Sequence, residues 1–106
     1  MDTISTTDLE RKAEDVAGML AAMANPRRLI ILCRLAQAGE MTVARLTEAV
    51  GLSQSALSQH LALMRAGGLL ATRKEGLNVH YRVADPRALR LMQSLERVFC
   101  PPEGET

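Results

Sequence analysis

The chain carries two cysteines, Cys33 and Cys100, and their thiols are its candidate groups for covalent chemistry. A thiol attacks oxidants and binds soft metals as the thiolate, which a nearby cation favours. Arg34 follows Cys33 directly, and Arg97 precedes Cys100 by about one helical turn. A helix C-terminus at Cys100 would oppose an anion there. The residues alone leave a simpler interpretation open, in which Cys33 is a small core residue and Cys100 an inert tail thiol.

A second set of polar side chains is spaced for contact with nucleic acid. Ser55, Ser58, Gln59 and Ala62 recur at the i, i+3, i+4, i+7 spacing of one helix face. Short hydroxyl and amide groups on such a face can approach base edges in the major groove of DNA. His60 either contacts DNA or packs against the helix. The residues predicted to lie at or near the bases are Ser53, Gln54, Ser55, Ser58, Gln59 and His60.

Basic residues follow this face, although the net charge of the whole chain is only +1. Between residues 53 and 83 the only acidic residue is Glu75. Asn78, His80 and the basic residue Arg82 are spaced two residues apart, so they share one face of a strand. We predict phosphate contacts for this patch, with a merely solvated surface as the alternative. The basic residues are Arg65, Arg73, Lys74 and Arg82.

The elements around these residues predict a mainly α fold with a β-hairpin wing. Gly51 ends one amphipathic helix, and Ser53 can cap the next only two residues later, which is typical of a helix-turn-helix. Residues 69–83 alternate around a turn at residues 75–78 as a hairpin does. Further helices are expected over residues 8–24, 26–38 and from Pro86 onward. The order ααααββα is that of a winged helix-turn-helix.

At 106 residues and 47% apolar content, the chain has room for one core. We expect a flexible N-terminus over residues 1–7, one domain over residues 8–100 and a flexible tail over residues 101–106. The sequence shows neither an apolar run of about 20 residues nor a signal peptide, so a cytoplasmic protein is expected.

Apolar stripes on the first and last helices exceed what a small core can cover, which predicts a homodimer through these helices. The alternative is that both stripes fold back on their own subunit. A two-fold dimer would place its two recognition helices about one DNA turn apart, near ~34 Å. The predicted interface residues are Val16, Leu20, Met23, Leu91, Met92, Leu95 and Phe99.

Three stretches in this order resemble the ArsR family of bacterial repressors: LAAMANPRRLIIL, LSQSALSQHLALMRAGGLL and TRKEGLNVHYRV. The resemblance covers residues 13–99. It implies a homodimer without a cofactor that binds an inverted-repeat operator in double-stranded DNA and releases it when an inducer binds. It implies no enzymatic activity.

The metal ligands that many members of this family carry are missing from the corresponding helices. Residues 44–48 contain no cysteine, and the last helix contains no histidine. Cys33 and Cys100 instead resemble the dithiol branch of the family, which implies sensing of reactive sulfur such as persulfides or polysulfides through a bridge between the two thiols. Two alternatives remain. The same thiols could bind arsenite or copper(I), or the fold could serve as a protein-interaction module or a small oxidoreductase, although no CxxC motif is present.

Overall fold

The computed structural model describes residues 6–100, which form six helices and three strands. The helices are α1 (Thr6–Arg11), α2 (Ala13–Met23), α3 (Pro26–Ala38), α4 (Val43–Val50), α5 (Gln54–Ala66) and α6 (Pro86–Phe99). The strands are β1 (Met41–Thr42), β2 (Leu70–Glu75) and β3 (Asn78–Val83). The mainly helical, winged helix-turn-helix fold expected from the sequence is confirmed. Of the predicted flexible ends, residues 1–5 and 101–106 lie outside the described residues, whereas Thr6 and Thr7 belong to α1.

Side-chain caps begin four of the helices, and the cap at Ser53 is the one predicted above. Thr42 Oγ1 accepts a hydrogen bond from the N–H of Arg45 at 3.3 Å and starts α4. The Oδ1 of Asn25 accepts hydrogen bonds from the backbone N–H groups of Arg27 and Arg28, at 2.9 and 3.2 Å, and so starts α3. Ser53 Oγ accepts from the N–H of Ala56 at 3.2 Å and starts α5. Asp85 caps α6 in the same way. Because each cap satisfies N–H groups that have no partner within the helix, these starts are set locally.

The turn between α4 and α5 also has the predicted geometry. Gly51 adopts the left-handed conformation, with φ of 69°, and ends α4. This conformation costs glycine little, because glycine has no Cβ to collide with the backbone.

Two elements differ from the prediction. The helix expected over residues 8–24 is interrupted at Lys12, which has φ of −99° and ψ of 5° and separates α1 from α2. The wing also has a third strand, because β1 pairs antiparallel with β3, with Met41 opposite Tyr81 and Thr42 opposite His80. The sheet order is therefore β1-β3-β2.

One apolar core joins the helix-turn-helix to the remaining helices. From α5 it receives Leu57, Leu61 and Met64. On α3 the fully buried residues are Ile31, Leu32 and Leu35, whereas Leu29, Cys33 and Ala36 are half-buried. The side of α3 that carries Cys33 thus borders the core and does not enter it.

Within residues 6–100 no single helix is long and apolar enough to cross a membrane. The pair α2 and α3 passes that test by length and composition only when taken together, and it is bent by 94°.

Candidate DNA interface and thiol cavity

The outer side of α5 presents the polar residues that the sequence places on one face. Leu57, Leu61 and Met64 are buried on the inner side of the helix. The opposite side, called here the recognition face, is solvent-exposed. It consists of Ser55, Ser58, Gln59 and Ala62. The capping residue Ser53 and the first helical residue Gln54 are exposed beside it, whereas His60 is half-buried at its edge.

The wing carries its basic and polar residues on the strands next to the turn. In β3, Asn78, His80 and Arg82 alternate with Val79, Tyr81 and Val83, so the first three share one face as predicted. Lys74 and Arg82 are exposed, as is Arg65 near the end of α5. The free cationic groups of this region therefore lie on both α5 and the hairpin.

Arg73 is exposed too, but its guanidinium already has two carboxylate partners. Nη2 and Nε donate to Glu40 at 2.8 and 3.1 Å, and Nη1 donates to Glu75 at 2.9 Å. His80 faces the same group, with its Nδ1 4.0 Å from Oε1 of Glu40. The negative charges of Glu40 and Glu75 together exceed the single positive charge of the Arg73 guanidinium. Glu40, Arg73, Glu75 and His80 are called the wing cluster below.

The hydrogen bonds that Arg73 donates shift the pKa values of three groups, Glu40, Glu75 and Arg73 itself. The Arg73 guanidinium holds the pKa of Glu40 below its ordinary value of 4.5, and it lowers the pKa of Glu75 in the same way. In return, the hydrogen bond to Glu40 raises the pKa of Arg73. Each charge favours the ionised form of its partner.

Sequence reasoning missed the role of Glu40. Glu40 lies 33 residues from Arg73 in the chain, and it approaches the wing only because β1 pairs with β3. A strand of two residues leaves no pattern of alternation in a sequence, so no local signal could have found this contact.

A second site is a cavity between α3 and α6, which we call the thiol cavity. Its volume is about 680 Å³, and both Cys33 and Cys100 line it. Cys33 is half-buried on α3, and Cys100 is exposed where α6 ends. The two thiols, which lie 67 positions apart in the chain, therefore border a common space.

Most of the cavity wall is apolar. From α3 it includes Leu29 and Ile30, and from α6 it includes Met92, Leu95 and Phe99. On α6 these three positions lie about one helical turn apart, and on α3 the lining continues one turn later at Cys33, so each helix presents one side to the space. Neither of the cations that the sequence places near the thiols lines it. Arg34 is exposed, and Arg97 Nη2 donates to Ser94 Oγ at 3.2 Å.

The fold, the capped recognition helix and the basic wing define a class of protein, the winged helix-turn-helix DNA-binding regulators of transcription. Residues 25–72 match the family model described as "Bacterial regulatory protein, arsR family". Over 95 residues the chain is 40% identical to the biofilm growth-associated repressor of Agrobacterium fabrum, which covers 90% of this chain and 80% of that protein. The chain belongs to the arsR family of bacterial regulatory proteins, and it is a transcriptional regulator, not an enzyme.

Solved structures agree with this assignment. The transcriptional repressor BigR of Xylella fastidiosa superposes with a TM-score of 0.87 at 32% identity, and the match covers 93% of this chain and 100% of that one. Reduced HlyU of Vibrio cholerae superposes with a TM-score of 0.81 at 42% identity, covering 88% of this chain and 97% of that one. The similarity thus extends through both the helix-turn-helix and α6.

Proposed function

We propose that this regulator is a homodimeric repressor that senses reactive sulfur through Cys33 and Cys100 and releases its operator when the two thiols are bridged. The observation that carries the proposal is that both thiols line the same cavity between α3 and the end of α6. The similarity to proteins named biofilm growth-associated repressor and BigR supports repression as the direction of control.

The bridging chemistry is an exchange of sulfur–sulfur bonds. A donor RS–S–SR carries one sulfur atom between two thiolate leaving groups. The thiolate of one cysteine attacks the central sulfur and expels the first RS⁻, and the second cysteine attacks the same sulfur and expels the other RS⁻. Two S–S bonds break and two form, which leaves a trisulfide between Cys33 and Cys100. A direct disulfide requires Cα atoms roughly 4.4–6.8 Å apart, whereas an added sulfur spans a wider gap.

A bridge would connect α3 to the end of α6, and α6 carries part of the proposed dimer surface. Leu20 on α2 is 46% exposed, and Phe99 on α6 is 76% exposed. Large apolar side chains so exposed favour contact with a second copy. Leu91, Met92 and Leu95 are half-buried on the same helix. Met92, Leu95 and Phe99 also line the thiol cavity, so the cavity borders the proposed dimer surface. Val16 extends the proposed dimer surface on α2. Met23, also expected at the interface, is 3% exposed and packs in the core of its own subunit, so it does not belong to this surface.

The dimer is tested by the oligomeric state of two matched variants in sedimentation velocity. Leu20→Asp puts a charge on the proposed interface and should shift the protein to monomer. Leu63→Asp puts the same charge on α5, where Leu63 is 50% exposed, and should leave the dimer intact. A dimer that persists in Leu20→Asp would show that α2 does not form the interface.

Sensing is tested by intact mass and DNA affinity measured on the same samples. Treatment with an excess of a trisulfide RS–S–SR should add one sulfur atom less two hydrogens and weaken operator binding, and a reductant should restore both. Cys33→Ser, Cys100→Ser and the double variant should bind DNA but no longer respond. A double variant that still responds would overturn the proposal.

The same mass measurement separates sulfur sensing from capture of arsenite or copper(I), which would add the mass of an ion. Among residues 6–100 there is no group of three or more His, Cys, Asp or Glu side chains placed to hold a metal. We therefore propose sulfur chemistry.

A further inference from the structure

The charge distribution of the thiol cavity indicates which sulfur donors it admits. Among the described residues that line it, the only charged one is Glu96, and the only other polar side chains besides the thiols are Gln37 and Gln93. No lysine, arginine or histidine of the described part of the chain lines the space. Within one subunit, a negatively charged donor would find no cation among the described residues of this lining.

Glu96 lies close to the path of a donor. It precedes Cys100 by four residues on α6, and its backbone carbonyl accepts a hydrogen bond from the Cys100 N–H at 2.7 Å. Residues four apart on a helix lie on the same side, one turn apart. An anion approaching either thiol through the cavity would thus meet a carboxylate as well as an apolar wall.

Both features disfavour an anionic donor. Moving a charge from water to an apolar wall loses hydration, and with no opposite charge in place nothing restores it. Repulsion between like charges is also stronger beside a protein wall than in bulk water. An uncharged donor suffers neither penalty and gains from the burial of its apolar groups. The volume of about 680 Å³ is sufficient for a small organic molecule.

We propose that the thiol cavity selects uncharged, apolar donors of sulfane sulfur, of the dialkyl trisulfide class, over anionic donors, and that Glu96 is the residue that discriminates by charge. This proposal rests on the proposed function, since it specifies the inducer of the same two thiols. The reaction is the exchange written above, with R an uncharged group.

The test compares two sulfur donors, one anionic and one uncharged, and the uncharged donor is slightly larger than the anionic one. Bis(2-carboxyethyl) trisulfide is anionic, and its dimethyl ester is neutral and slightly bulkier, so exclusion by size would act in the opposite direction. Rates of adduct formation on the full-length reduced protein are followed by intact mass. Each rate is divided by the rate of the same donor with a small free thiol, which removes intrinsic reactivity.

We expect the normalised rate for the ester to exceed that for the diacid by ~10-fold in the unmodified protein. Glu96→Gln should raise the rate for the diacid and bring the ratio to about threefold or less, with the rate for the ester unchanged. The matched control is Glu48→Gln, which removes an equal charge from α4, outside the cavity, and should keep the original ratio.

Two results would overturn the inference: a ratio near one in the unmodified protein, or a ratio that Glu96→Gln does not change. DNA affinity measured on the same samples separates this failure from failure of the proposed function. If both donors react equally and both release DNA, the inducer class is wrong and the dithiol sensor stands. If the ester reacts selectively and the modified protein still binds its operator, the selectivity stands and the sensor does not.

Discussion

Arg73 and Glu40 form an ion pair through two hydrogen bonds, at 2.8 and 3.1 Å, between the hairpin and the segment that precedes β1. An arginine at the base of a wing is positioned to bind a DNA phosphate, and the sequence alone predicts that role for Arg73. Here the guanidinium must first leave a carboxylate that it contacts with two nitrogens, an arrangement stronger than a single-point contact. Glu40 thus competes with DNA for Arg73.

Replacement of Glu40 by Gln should therefore strengthen DNA binding by about 3- to 10-fold, because Arg73 loses its two-nitrogen contact with a carboxylate and keeps only the single contact to Glu75, which a phosphate can displace. The slope of log affinity against log salt concentration should steepen by up to about one unit, the effect of one further phosphate contact. Fluorescence anisotropy at several salt concentrations measures both. Glu14→Gln on α2 removes an equal charge away from the wing and should have little effect. Weaker binding by the Glu40 variant would instead make Glu40 a positioning residue for Arg73.

The wing cluster also predicts how stability depends on pH. Because Arg73 lowers the pKa of Glu40 and Glu75 in the folded protein, both carboxylates bind protons less readily when folded than when unfolded. The stabilisation of the folded state by these two carboxylates is complete above their ordinary pKa of 4.5. It is lost as the pH falls through their lowered pKa values. The free energy of unfolding, from denaturant titrations, should decrease on the acid side of pH 4.5. It should decrease less steeply in Glu40→Gln, and equal slopes would exclude Glu40 as a source.

Residues of the recognition face and of the wing should respond differently to mutation. Gln59→Ala should change which operator variants are preferred, because we propose that its exposed amide contacts base edges. Lys74→Gln should weaken binding to all sequences and reduce the salt slope by about one unit, as expected for a phosphate contact. Affinity for a panel of operator variants distinguishes the two. Similar effects of both changes would refute this division of roles.

Two leucines of opposite exposure test the core. Leu57 on α5 is 0% exposed, and its replacement by Ala should lower the free energy of unfolding by about 2–5 kcal/mol. Leu77 at the hairpin turn is 99% exposed, and its replacement by Ala should change the free energy of unfolding by less than about 0.5 kcal/mol. Denaturant unfolding at one fixed protein concentration measures both, since association contributes to apparent stability. A small loss in Leu57→Ala would mean that α5 is not anchored through this residue.

The parts of the fold that the sequence predicts are those set by local chemistry. Asn25 and Ser53 start their helices with bonds to residues two or three positions ahead, and Gly51 ends α4 through its own backbone conformation. The break at Lys12 has no such marker, because neither glycine nor proline stands there. The helix periodicity is unbroken across it, so a single helix was the natural expectation.

The sites depend on contacts distant in sequence, and here prediction was less complete. The recognition face was predictable because one helix sets its spacing. That Cys33 and Cys100 border one cavity could be expected only from the family resemblance, since α3 and α6 approach each other through the tertiary fold. The apolar character of that cavity, and the absence of Arg34 and Arg97 from its described lining, depend on side-chain directions that sequence neighbours do not reveal.

The two-residue strand β1 joins the wing to the helix-turn-helix with no intervening residue, because α4 begins at Val43, immediately after Thr42. Thr42 pairs with His80 of the hairpin while its own Oγ1 accepts a hydrogen bond from the N–H of Arg45 in α4. One threonine thus connects the hairpin to the helix-turn-helix, the two parts of the subunit that we propose to contact DNA, and we expect a tilt of the hairpin to be transmitted to α4. A signal that arrives through α6 would then rotate hairpin and helices together, and affinity would be lost at both contacts in a single cooperative step.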